Sequence, residues 1–148
     1  MVAKKKAPVK KPKIEDFEGT LETALKISQG LGWLANREMK NGKLALRIGR
    51  MSEKFGAEVK VFNDRRIELI KELGYQPEEE DEDGNVEKQD WKVKDENLEE
   101  FEERLTEMRD EPVKIVGVVK IDFADIERSG IPPVLMVALD PIMTGQED

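Results

Sequence analysis

The sequence predicts an α+β fold: one long helix, a second helix packed beside it, and a small two- or three-stranded antiparallel sheet. Three observations carry this. Residues 43–73 hold apolar side chains at 3–4 spacing over 31 positions. Residues 97–109 repeat that spacing over a shorter span. Residues 113–123, VKIVGVVKIDF, instead alternate and are rich in β-branched residues.

The longest element comes first. Leu44, Ile48, Met51, Phe55, Val59, Phe62, Leu69 and Leu73 form its stripe, interrupted by Arg66. Gly49 and Gly56 lie seven apart inside it and each costs about 1 kcal/mol against Ala. Close approach of another backbone on that face would explain them. Asn41-Gly42 breaks the chain before the helix, and Gly74 suits its C-cap.

Upstream, residues 15–30 read as a short helix with Phe17, Leu21, Ala24, Leu25 and Ser28 on one face. Thr20 offers an alternative cap for a later start. Gly30 and Gly32 are expected to end it, leaving Trp33 and Leu34 as anchors in a connection.

Downstream, EEEDEDGNVEKQD (78–90) poses a choice between a calcium loop and a hairpin. Counting from Glu79, the EF-hand positions hold Glu79, Asp81, Asp83, Asn85, Glu87 and Asp90, with Gly84 at position 6. The flanks oppose that reading. Gly74 and Pro77 stop any helix from entering the loop, and position 12 is Asp rather than a bidentate Glu. A hairpin turning at Asp83-Gly84 or Gly84-Asn85 fits better.

The next helix, 95–111, carries Leu98, Phe101, Leu105 and Met108, with Asp95 or Asn97 as its cap. Glu99 and Glu103 read as a solvated face, since nothing near them would shift a carboxylate toward acid–base work. Pro112 ends the helix. Val113, Ile115, Val119, Ile121 and Phe123 share one face of the following strand, which is expected to pair with the acidic hairpin. Finally, IPPVLMVALDPIM gives a short apolar helix, with Pro132 and Pro133 at its start. Leu135, Met136, Leu139, Ile142 and Met143 are expected to close the core.

Composition narrows function. Charged residues make up 39% of 148, against about 25% in a typical domain. There is no His and no Cys, which excludes a Ser-His-Asp triad, an imidazole zinc site, thiolate ligands and disulfides. No catalytic, cofactor-binding or metal-ligating residue is assigned, and no cofactor is expected. No apolar run approaches the ~20 residues that span a bilayer, so no membrane partner is expected.

Charge is also divided along the chain. Residues 1–13 hold six lysines and no acid, while the net charge is −8, so residues 14–148 carry −14. The expected organisation is a basic flexible arm, 1–13, on a single acidic α+β domain, 14–148. Lys4, Lys5, Lys6, Lys10, Lys11 and Lys13 are the candidate contacts for nucleic acid or an acidic partner; a solubilising tail is the alternative.

The order of elements resembles a group of small tailed-bacteriophage proteins of uncharacterised function. The resemblance lies in LALRIGR (44–50), RIELIKELG (66–74), EEDEDGNVEKQDWKV (79–93), NLEEFEERL (97–105), VKIVGVVKID (113–122) and IPPVLMVALDPIM (131–143). It covers roughly residues 20–143, excludes the arm, and consists of residue types rather than a catalytic signature. It implies a phage protein with no assigned reaction and no functional residues to carry over. The expectation is a non-enzymatic interaction protein, a virion or assembly component, with a phage or host protein as partner and homo-oligomers compatible. Its place is the virion or the host cytoplasm. The alternative is an accessory factor that binds nucleic acid or a host protein, such as a host-defence inhibitor.

Overall fold

The computed structural model describes residues 12–146. Its architecture is α+β. The described residues open with strand β1 (Ile14–Thr20), which leads directly into helix α1 (Leu21–Ala35). After a turn comes the dominant helix α2 (Gly42–Leu73), 32 residues and so about 48 Å long. Short strands β2 (Gly74–Tyr75), β3 (Glu78–Glu80), β4 (Val86–Lys88) and β5 (Lys92–Val93) follow. Then come helix α3 (Leu98–Arg109), strand β6 (Pro112–Val119), strand β7 (Ile121–Asp122), helices α4 (Phe123–Ile126) and α5 (Pro133–Leu139), and strand β8 (Met143–Thr144).

The strands pair in twos. β1–β6, β2–β5 and β3–β4 are antiparallel, and β7–β8 is parallel. The expected partnership between residues 113–123 and the acidic hairpin is therefore wrong. The true partner of β6 is β1, in a segment expected to be helical. Phe17 fits either periodicity, and only the pairing with Ile115 decides it. Thr20 ends the strand and caps α1, its Oγ1 accepting from Thr23 N at 3.3 Å.

A bulge also breaks the expected alternation in β6. Glu15 faces Val118 while Phe17 faces Ile115, so one residue opposes two. Gly117 takes φ +71°, which suits glycine, and its N–H is satisfied by Asp16 Oδ1 at 3.0 Å. The shift in phase buries Val118 rather than Val119. Lys54 Nζ donates to the outward carbonyls of Val116 (2.8 Å) and Gly117 (3.4 Å).

The buried side chains form two clusters along α2. Ile48, Met51 and Phe55 join Ile27, Leu31, Leu34, Val118, Leu139 and Ile142 in the larger one. Phe55 meets Phe17 edge-on at 5.5 Å. Phe62, Leu69 and Leu73 join Leu21, Leu105 and Met108 in the smaller one. The long stripe is thus core, as expected, except Val59, which is half-buried and in neither cluster; α1 covers its first half and α3 only its second.

Two glycine expectations change places. A Cβ at Gly49 or Gly56 would meet nothing within 4 Å, so neither marks a close approach. Gly30 does. A Cβ there would sit 2.7 Å from Leu139 Cγ and 3.2 Å from Leu135 O, where α5 crosses α1. Gly30 and Gly32 do not end α1, which runs on to Ala35. α5 closes the core through Leu139, with Ile142 and Met143 beyond it.

The junction between α2 and α3 also corrects an expectation. Asp95–Asn97 form a 3-10 turn, and Asn97 caps no α3 donor. Its Nδ2 instead donates to Leu73 O at 2.9 Å, satisfying a terminal carbonyl of α2. Leu98, placed in the expected stripe, is 45% exposed.

Candidate interaction surfaces

Of the six candidate lysines, Lys4, Lys5, Lys6, Lys10 and Lys11 lie outside the described residues. Lys13 lies within them. Its carbonyl accepts from Lys120 N at 2.8 Å, which extends the β1–β6 pairing by one residue. Its Nζ meets Glu15 Oε1 at 2.9 Å and holds that carboxyl below its usual range. Lys120 Nζ reaches Pro141 O at 2.6 Å. The root of the arm is therefore stitched to the folded body. Pro12 and Lys13 border a cleft of about 480 Å³ with Leu44, Arg47, Asp122 and Asp125.

That root lies at one particular end of α2. The turn 36–41 reverses the chain, so Leu34 and Leu44 share one cluster while Leu21 joins Phe62 in the other. Residues 37–50, spanning this turn and the first turns of α2, hold Arg37, Lys40, Lys43, Arg47 and Arg50 against Glu38, a net of +4. Among the described residues none of these five cations has a carboxylate within 4.0 Å, a state they share with cations elsewhere such as Lys60, Arg66 and Lys71, whereas Lys13, Lys26, Arg65, Arg104, Lys114 and Lys120 are paired. The first turn of α2 contains no acid, although the helix macrodipole favours one there. Asn41 Oδ1 accepts from Lys43 N and Leu44 N, and the side-chain cations add to the positive end of the helix. Arg37 lies over the Trp33 ring at 4.3 Å.

The other end of α2 is the reverse. Residues 74–111 carry seventeen acids and five cations, a net of −12. Residues 12–73 and 112–146 together carry fifteen cations and fourteen acids, a net of +1. The acidity expected of the whole domain is thus confined to the hairpin and α3. Every residue of β3 and β4 is exposed, as are Glu99, Glu100, Glu102, Glu103 and Glu107 on α3. Two ion pairs clamp this lobe to α2. Arg65 grips Glu111 with both guanidinium nitrogens at 2.7 and 2.9 Å, and Arg104 meets Glu72 at 3.0 Å. The Arg65 hydrogen bonds lower the Glu111 pKa and raise that of Arg65. These pairs line a cleft of about 300 Å³.

Residues 78–88 form the expected hairpin. Glu80 pairs with Val86 across the turn, and Gly84 takes φ +80°. Asp81 Oδ1 accepts from Asp83 N at 3.0 Å and Asn85 N at 2.8 Å, which fixes the turn. Those bonds, the Asn85 N–H first, lower its pKa. No group of three or more His, Cys, Asp or Glu suited to a metal occurs among the described residues.

A third surface is apolar. Val134 and Val137 on the outer side of α5 are 74% and 73% exposed. Sequence reading named the arm but missed Lys40, Lys43, Arg47 and Arg50. Their signal was the sign of charge within residues 37–50, masked by the strong helical stripe that shares those positions. No family model, curated protein or solved structure matches the chain.

Proposed function

We propose that the protein is a non-enzymatic interaction protein of bacteriophage origin, acting in the virion or its assembly. The observation that supports this reading is the separation of charge along α2, with unpaired cations at the α1–α2 turn and a net −12 over residues 74–111. Such poles recognise large complementary surfaces and orient an approaching partner. The phage setting rests on the resemblance of residues 20–143 to small tailed-phage proteins. No helix among the described residues is long and apolar enough to cross a membrane.

Mass spectrometry of purified particles tests this reading. Recovery at a fixed copy number per particle is the expected result. Confinement to the soluble lysate, away from particles and assembly intermediates, would refute it. The second reading, an accessory factor that binds nucleic acid or a host protein, draws on the same cationic end and the arm rooted beside it. Capture of a host protein or nucleic acid from infected cells, without particle association, would favour it.

A further inference from the structure

We propose that one face of α2, carrying Lys43, Arg47, Arg50 and Lys54, binds the phosphate backbone of a nucleic-acid duplex. These four cations stand at i, i+4, i+7 and i+11 of one unbroken helix. At 3.6 residues per turn that spacing keeps them within about 60° of arc, with successive members about 4.5–6 Å apart along the axis and about 16 Å from first to last. Lys43, Arg50 and Lys54 are exposed and Arg47 is half-buried. The stripe lies roughly 100° around the helix from the buried Leu44, Ile48, Met51 and Phe55, so it flanks the core face and is open to a partner.

The sign of charge sets this segment apart. Residues 39–52 hold four cations and no acid, and no other acid-free run between residues 15 and 146 holds more than two. The same stretch includes the first turn of α2, where the positive end of the helix dipole adds to it. Lys54 Nζ donates to Val116 O at 2.8 Å and Gly117 O at 3.4 Å, which fixes the last charge against the bulge of β6. Arg47 shares a cleft with Asp122 and Asp125, and Lys13 and Lys120 offset those acids there. On α2 itself, Glu53 and Glu58 border only the Lys54 end.

The acids of α3 lie elsewhere along α2. Arg65 grips Glu111 while Arg104 meets Glu72, so the two helices run antiparallel and α3 starts from residue 65. Lys54 and Arg65 are eleven residues apart, about 16 Å, which exceeds the ~10 Å over which charge acts at 0.1 M salt.

The composition of the stripe selects the partner. Protein interfaces concentrate apolar and aromatic side chains at their centre and deplete Lys, whereas this stripe is charge throughout. A duplex presents one negative charge per ~1.7 Å of its axis, and surfaces that bind it are strongly positive. Single strands are held by stacking their bases on open aromatic rings. Trp33, the aromatic residue at this end, packs against the larger cluster and has Arg37 over its ring at 4.3 Å.

This rests on the nucleic-acid form of the second reading above and names its surface. A host-protein partner and recovery from particles are separate measurements, so they stand or fall apart from it. The test is fluorescence anisotropy of the full chain with a short labelled DNA duplex and, separately, an RNA duplex of the same sequence, between about 50 and 200 mM salt. The wild type should bind, and binding to either duplex supports the proposal and identifies the source of the phosphates. Lys43→Gln/Arg47→Gln/Arg50→Gln should bind DNA at least about tenfold more weakly at the low-salt end, with a log–log salt slope shallower by about 2.7, from 0.9 for each of three contacts. Lys60→Gln/Arg66→Gln/Lys71→Gln removes the same charge from other exposed positions of α2 and should stay within about twofold of wild type. Gln matches Lys and Arg in helix propensity. If the triple variant fails to fold, Lys43→Gln and Arg50→Gln carry the test singly, each flattening the slope by about 0.9. Residues 1–11 are common to all these proteins, so any part they play cancels in the comparison.

A wild type that binds neither duplex at low salt overturns the proposal. So does a stripe variant that binds as tightly as wild type, or a control variant that loses as much, which would reduce the effect to net charge. Displacement of the duplex by polyglutamate at equal charge concentration also overturns it, by assigning the stripe to acidic protein.

Discussion

Three glycines in helices should respond to the same substitution with different signs. Gly49 and Gly56 lie inside α2, where an added Cβ meets open space within 4 Å. Replacing either with Ala adds no clash and removes the entropic penalty of a mid-helix glycine, about 0.8–1 kcal/mol. The two positions are seven residues apart, about 10 Å along the axis, so the gains should add. For a chain of this size each kcal/mol moves Tm by roughly 2–4 °C. The double variant should therefore melt roughly 3–8 °C higher. Gly30→Ala gains the same propensity but drives a methyl into Leu139 Cγ at 2.7 Å and toward Leu135 O at 3.2 Å. Leu139 is fully buried and cannot swing into solvent. Overpacking of this kind costs about 1–3 kcal/mol, which leaves a net loss of up to about 2 kcal/mol. Urea and thermal melts of all three single variants, run side by side, decide the matter. If Gly30→Ala stabilises as much as Gly49→Ala, the α1–α5 crossing is not as close as described. If Gly49→Ala or Gly56→Ala destabilises, that face of α2 has a packing partner and the reasoning fails.

Phe55 is fully buried and edge-on to Phe17, so Phe55→Ala should cost about 3–5 kcal/mol in a urea titration; an unchanged midpoint would remove it from the core. Glu111 has its pKa lowered by Arg65, so its contribution is present above its unfolded pKa of about 4.3 and is lost as pH falls through the lower folded value. The pair is half-exposed, so Glu111→Gln should remove at most about 1 kcal/mol at pH 7 and flatten the acid limb of the stability profile; an identical profile would show the clamp contributes nothing. Calorimetry with calcium should show no saturable micromolar binding, because the loop is flanked by the paired strands β3 and β4 and not by the helices of an EF-hand. A stoichiometric site abolished by Asp81→Ala would contradict this.

Periodicity was a sufficient guide wherever one face of an element met the core over several turns. The α2 stripe apart from the half-buried Val59, Leu105 and Met108 on α3, and the closing trio Leu139, Ile142 and Met143 are buried as their spacing implies. It was insufficient where one partner decides. Phe17 suits a helix or a strand until Ile115 lies opposite it. Gly117 interrupts a β-rich run without revealing that the phase of burial shifts there. Asn97 carries every mark of a helix cap, yet its amide serves Leu73 of another helix. For the surfaces, the arm's charge was legible because nothing competes with it in a run of Lys, Ala, Val and Pro. The charge of residues 37–50 was hidden by the hydrophobic pattern on the opposite face, and its isolation from carboxylates is a property of three dimensions only.

The β1–β6 pairing sets a schedule for synthesis. Thr20, the last residue of β1, lies opposite Pro112, 92 positions later. At roughly 5–20 residues per second, β1 waits on the order of 5–20 s for its partner to be translated. During that wait Phe17 has no Ile115 to cover it and the strand has an unpaired edge. α1 and α2 can form as each emerges, because their hydrogen bonds are local, but the floor of the larger cluster arrives with Val118 and its roof with Leu139 and Ile142. Folding of that cluster is therefore deferred until most of the chain has been made, and it closes a long loop whose entropy must be spent before the contacts form. A nascent chain halted before residue 112 should display a protease-sensitive N-terminal segment. One extended past residue 142, clear of the ribosome, should protect it.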